Sequence, residues 1–236
     1  MPTTQSFDRI NDINTPKMTV MSIEKYFGEM KLSQAQKKER IALANDLEDV
    51  MMVFFSLLLL INEFGYMSAI SAVDAKKQLS DRVYETVGKH TKITDEMKEF
   101  LDQFIDDVND TTTEHLAILA ALTAIDEPDN QTQEKEKFEE HYVSEDRARL
   151  LAEEESNTLF NLADFEKAKR LGYKYKTWVT MRDNKVRHTH AMVDDATIPI
   201  DEFFVVGNTL LRFPRDVEIG NMREIAGCRC SVVYSK

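Results

Sequence analysis

Hydrophobic and polar positions follow two different rhythms along this chain, and the change between them falls at Gly172. Before it the rhythm is helical. Met97, Phe100, Leu101, Phe104, Ile105 and Val108 recur three and four residues apart, which gathers them into one stripe of a helix. Thr94 stands where an N-cap belongs, and Asp95 and Glu96 fill the first turn, where the positive end of a helix favours acidic side chains. Thr111 with Glu114 has the form of a capping box, so a separate helix is predicted from there through Ile125. Residues 22–88 also read as helix, with a Lys/Glu-rich turn at 37–40 and an apolar run at 50–61. That run is flanked by Glu48, Asp49 and Glu63, and it is shorter than the ~20 residues a membrane span needs. It predicts a buried helix, covered either by the core of its own domain or by an oligomeric or docking partner. A last helix is predicted from Ser144 to Leu171, where Lys169 and Arg170 suit the negative end and Gly172 the position past the cap.

After Gly172 the pattern alternates. Residues 173–181 are aromatic and β-branched and predict a strand. Arg182, Asp183, Asn184 and Lys185 predict a turn. Residues 203–206 and 209–213, joined by Gly207 and Asn208, predict a hairpin, and 228–234 a final strand. The expected class is α+β: a mostly helical N-terminal part followed by a small C-terminal domain with a mixed β-sheet. Residues 126–137, polar, charged and broken by Pro128, are the best linker. The expected parts are a flexible N-terminal segment (1–19), a helical domain for assembly or partner contacts (20–137), and a helix with a small α+β domain (138–236).

Composition narrows the function. No proline lies between Pro16 and Pro128, which favours long helices over a many-turned β fold. The net charge of −12 is carried wholly by residues 1–177, because from Trp178 onward 8 basic residues balance 8 acidic ones. An acidic body argues against a protein that coats nucleic acid by neutralising phosphates, and for one that docks on other proteins. Two cysteines spaced Cys-x-Cys are too few for a disulfide framework and read as reduced thiols. The first residues lack a basic stretch followed by an apolar run, so no secretion signal is expected.

The order Trp178, then Asp183-x-x-Val186-Arg187-x-x-His190, then Phe203, Pro214 and Cys228-Arg229-Cys230 resembles the phage head-morphogenesis family typified by the F protein of phage Mu. The helix before the Trp178 strand, with Arg147, Glu155 and Asn161, is also similar, so the resemblance covers 140–236. Two departures stand out. The family usually has Gly after the acidic residue that follows the His, where this chain has Asp195 after Asp194. It often has Asn before Cys-Arg-Cys, where this chain has Gly227. The resemblance implies a minor capsid protein of a tailed phage or prophage, present in few copies inside the capsid near the portal and in the host cytoplasm during assembly. The partners it implies are portal, scaffold and major capsid proteins. Contact with phage DNA and homo-oligomerisation stay open, no membrane partner is expected, and in some phages such proteins travel with the genome into the host.

Two chemistries compete with plain structural roles. Arg187 and His190 would share one face of a helix but not of a strand, and an Arg–His pair can cleave phosphodiesters as RNases and toxin domains do. Against that stands a structural pairing of Arg187 with Asp183, Asp194 or Asp195. His188, His190, Cys228 and Cys230 offer a Cys2His2 set for zinc, if each pair lies on one face of a strand. Against that, the cysteines are small buried residues of a closing strand. Arg229 reads as an ion pair with an acidic neighbour and Trp178 as a core anchor. No cofactor is expected, and the resemblance favours assembly over catalysis.

Overall fold

Helix α1 (Ile23–Glu29) starts at Ser22, whose side chain accepts from the Lys25 amide and so satisfies one of the N–H groups a helix start leaves unpaired. Helix α2 (Gln34–Phe64) starts with a reciprocal cap. The Gln36 amide donates to Ser33 Oγ at 3.3 Å, and the Ser33 amide donates to Gln36 Oε1 at 3.1 Å. The structure of the protein, a computed structural model, describes residues 22–64, 72–123 and 141–236. The expected lead-in at 1–19 and linker at 126–137 lie outside the described residues. The chain divides into two units, one of Met1–Val20 with Asn45–Ala152 and the other of Met21–Ala44 with Glu153–Lys236, so the boundaries fall inside two helices.

In its described residues the first unit is helical. Helix α3 (Ala72–His90) buries Ala75, Leu79, Val83 and Val87, one residue per turn. Helix α4 (Asp95–Thr123) buries Met97, Leu101, Phe104, Ile105 and Val108, all in the stripe read from the sequence. Thr94 caps it, accepting from the Met97 amide at 3.3 Å. The break predicted at Thr111 does not occur; α4 runs through it. The two threonines that follow bond back into the same helix, Thr112 donating to the Val108 carbonyl at 2.6 Å and Thr113 to that of Asn109 at 2.8 Å. In the apolar run of α2, Val50, Met51, Phe54, Phe55 and Leu58 are buried by the chain itself, while Val53 is 44% exposed. Arg147 of α5 (Glu145–Arg170) is also buried here, its guanidinium 4.9 Å over the Phe55 ring and donating to Thr112 Oγ1 at 2.9 Å and to the Tyr142 carbonyl. Burial pulls its pKa down to about 10. No described helix is long and apolar enough to cross a membrane.

Among the described residues, the second unit holds every strand. Ser144 caps α5, and Gly172 (φ 71°) ends it: the Gly172 amide bonds the Lys169 carbonyl and the Tyr173 amide that of Ala168. Strand β1 (Tyr175–Val179) is the centre of a three-stranded sheet, flanked by β2 (Thr197–Pro199) and β5 (Ser231–Ser235). Strands β3 (Phe204–Val206) and β4 (Thr209–Leu211) form a separate hairpin, turning through Gly207 at φ 58°. The chain is α+β, as expected, but every pairing among the described residues is antiparallel rather than mixed. The reason is topological: both neighbours of β1 run back against it, and no two parallel strands are adjacent. Two one-turn helices, α6 (His188–Ala191) and α7 (Met222–Ile225), lie between strands. The core of this unit is Trp178, Phe204, Val206, Leu211, Ile225, Cys228 and Cys230.

Helix α5 reaches this core with a polar face. Asn157 donates to the Cys228 carbonyl at 3.3 Å and Asn161 to the Pro214 carbonyl at 2.9 Å. Thr158 accepts from Arg215 Nε at 2.9 Å, and Glu154 accepts from Arg215 Nη2 at 3.2 Å and from the Gly227 amide at 3.0 Å. Residues 214–228 include loops that have no strand partner to satisfy their carbonyls and amides. The polar stripe of α5 supplies the partners. At the other end of α5, Arg40 of α2, 1% exposed, donates to Asn161 and Asp164 and lies 4.9 Å over the Phe160 ring.

Candidate functional site

The site is built around one turn of helix. Arg187 has extended backbone (φ −61°, ψ 146°) and serves as the N-cap of α6. The His190 and Ala191 amides return to its carbonyl at 3.0 and 2.9 Å. One turn of helix separates residues two apart by more than half a revolution, so His188 is exposed while His190 turns inward and is 1% exposed.

The His190 ring touches four groups. Nδ1 lies 3.4 Å from the Cys230 sulfur and 3.6 Å from that of Cys228. Nε2 lies 3.2 Å from Glu224 Oε2, without the alignment of a hydrogen bond. The edge of the ring meets Trp178 at 5.6 Å between centroids. Glu224 is fixed in turn: it sits on α7, whose N-cap is the Asn221 side chain, and it accepts from Thr189 Oγ1 at 2.7 Å. The indole N–H of Trp178 is buried without an oxygen or nitrogen acceptor, and it lies close enough to Cys230 to favour a thiolate there.

Both cysteines are buried and free. They precede β5 rather than lying on it, so their common orientation comes from the loop and not from a strand face. The two sulfurs titrate against each other, which holds Cys228 well below the ordinary thiol value and pushes Cys230 above it; burial adds to the rise and works against the fall. Two thiols and one imidazole in contact can share a proton, or give up their protons to a soft metal ion.

The remaining motif residues make the frame. Arg187 donates to the Ala226 carbonyl and pairs with none of Asp183, Asp194 or Asp195, the partners expected for it. Arg182 takes Asp194 at 2.6 Å and also Asp195. Partial burial works against Asp194, but the Thr180 amide at 2.8 Å and Arg182 hold it below the usual carboxylate range. Arg229, as its place between the cysteines suggested, pairs with acids: both Asp183 oxygens at 3.0 and 2.8 Å, and Glu29 at 3.5 Å. Trp178 is fully buried in the core, Phe203 is 45% exposed, and Pro214 offers its carbonyl to Asn161. Asp195 (φ 62°) and Gly227 (φ 61°), the two departures from the family pattern, both occupy left-handed backbone, which Gly, Asn and Asp tolerate.

Of the four residues read as a zinc set, the structure brings together His190, Cys228 and Cys230 and leaves His188 outside. Of the Arg187–His190 pair, the guanidinium is engaged with a backbone carbonyl and the imidazole is enclosed, whereas an acid–base pair must meet its substrate within hydrogen-bond reach. Glu224, Glu154 and Arg215 were not legible as site residues, because nothing in their local sequence marks a partner so far along the chain.

Residues 112–233, more than half of the chain, match the family model described as phage Mu protein F like protein. No curated protein and no solved structure matches the chain.

Proposed function

The chain belongs to the phage Mu protein F like family, which points to phage head morphogenesis, and on that premise we propose that it is a minor capsid protein that binds the portal or scaffold while the head assembles. The match at 112–233 carries this reading, because it takes in the polar stripe of α5, the Trp178 strand, α6 and the Cys-Arg-Cys loop together. Charge supports the division of labour. The excess acidity lies outside the C-terminal part, so the helical part is suited to protein partners more than to phosphate backbones. The protein is then few in copy, sits inside the capsid near the portal, and in some phages leaves with the genome. The phosphodiesterase or toxin reading of Arg187 and His190 is favoured by no contact described above.

Deleting the gene from the phage or prophage, with complementation in trans, tests the reading. Heads that form defective or non-infectious and recover with the wild-type gene are the expected result. Purified portal or scaffold protein mixed with the full chain should also form a complex that sediments faster than either alone. Normal infectious heads from the deletion strain would overturn the proposal.

A further inference from the structure

We propose that His190 Nδ1, Cys228 Sγ and Cys230 Sγ bind a zinc ion that joins the α6 turn to the Cys-Arg-Cys loop. Four observations converge on it. The first is distance. Tetrahedral zinc with bonds of about 2.3 Å to sulfur and 2.0–2.1 Å to nitrogen sets its N and S ligands about 3.6 Å apart. Nδ1 stands 3.4 and 3.6 Å from the two sulfurs.

The second observation is a count of lone pairs. A neutral imidazole nitrogen offers one lone pair, so it cannot accept well from two thiols at once. Two buried sulfurs converge on one ring nitrogen that can accept from only one of them at a time. A cation in place of the thiol protons serves all three.

The third is the support behind the imidazole. Zinc-bound histidines commonly turn their other nitrogen to a carboxylate, which fixes the ring and raises its basicity. Here Nε2 faces Glu224 at 3.2 Å, and Thr189 holds that carboxylate at 2.7 Å. The fourth is the Trp178 N–H, fully buried beside Cys230 with no oxygen or nitrogen acceptor, where a metal-bound thiolate would take its hydrogen bond.

Soft N and S donors in a tetrahedral arrangement select zinc over magnesium or calcium. Three protein donors leave one further ligand to be supplied by solvent or by an assembly partner. The ion ties the one-turn helix α6 to the Cys-Arg-Cys loop, and its role is to fix the loop that α5 holds from the other side. This inference does not depend on the proposed assembly role; a cytosolic protein of any function would carry the same site.

The test uses the full chain purified under reducing conditions without chelator. Elemental analysis is expected to give about one zinc per chain, and a Cys228→Ser/Cys230→Ser variant close to none. Cobalt(II) titrated into reduced, metal-free wild type should give the visible and thiolate charge-transfer bands of a tetrahedral site, with both thiols shielded from a thiol reagent. Because the cysteine variant also alters two core positions, a second pair is used: Glu224→Gln and Thr189→Val keep all three donors and are expected to weaken zinc binding by about 10–100-fold. Metal-free wild type that shows no cobalt–thiolate bands, or a cysteine variant that keeps its zinc, would overturn the proposal.

Discussion

Lys176 lies two residues before Trp178, on the same buried face of β1. Its side chain is fully buried, donating to the Arg212 carbonyl at 2.8 Å between the Phe165 and Phe204 rings. Burial lowers its pKa from 10.5 to about 8. The folded protein therefore releases this proton near pH 8, whereas the unfolded chain keeps it to its ordinary value. Between those limits the unfolded state binds more protons, so raising the pH favours the fold. Measured against Lys176→Met, wild type should gain thermal stability from pH 8 to pH 10, with a flat difference below pH 7. A difference that falls with rising pH would contradict the assignment. Glycines give a second contrast at this scale. A Cβ on Gly220 would lie 2.4 Å from the Asp216 carbonyl oxygen and 2.6 Å from Ile225, so Gly220→Ala should cost about 1–3 kcal/mol. On Gly28, inside α1, a Cβ meets nothing within 4 Å, and Gly28→Ala should stabilise by about 0.5–1 kcal/mol. Paired urea melts check both.

Among the elements, α5 carries the account. Its Glu154, Asn157, Thr158 and Asn161 recur at helical spacing, and a polar stripe is ordinarily read as the solvent face. Here the stripe is turned inward because residues 214–228 need hydrogen-bond partners that no strand provides. Arg215 closes the arrangement: it is buried at φ 62° and donates to Thr158, Glu154 and the Ile225 carbonyl. Burial works against its charge, but Glu154 keeps it firmly protonated. Arg215→Met should cost roughly 2–4 kcal/mol, since it leaves Glu154 without its charge partner and takes one hydrogen bond each from Thr158 and the Ile225 carbonyl. Chemical denaturation checks the size, and loss of amide-exchange protection at 225–228 checks the place. The helices were legible because apolar periodicity and caps are local signals: the α4 stripe, its Thr94 cap and the Gly172 stop all stand as read. The false break at Thr111 came from a capping motif that here stands inside a continuous helix, where the next two threonines bond back to carbonyls four residues earlier. The strand order was not legible, because β2 and β5 choose β1 by long-range packing that no short motif records.

At the scale of the whole molecule, the family was legible from spaced single residues, and the matched span runs from 112 to 233. The reasons those residues recur together were not. Trp178, His190, Cys228 and Cys230 meet in one core, and Asp183 and Arg229 pair across its edge. The central claim, however, is about where the protein works. Quantitative mass spectrometry of purified, genome-filled heads tests it most directly. The account predicts this chain at low copy relative to the major capsid protein, at a fixed ratio to the portal from one preparation to the next. Heads that lack it, while it accumulates in the host cytosol, would contradict the account.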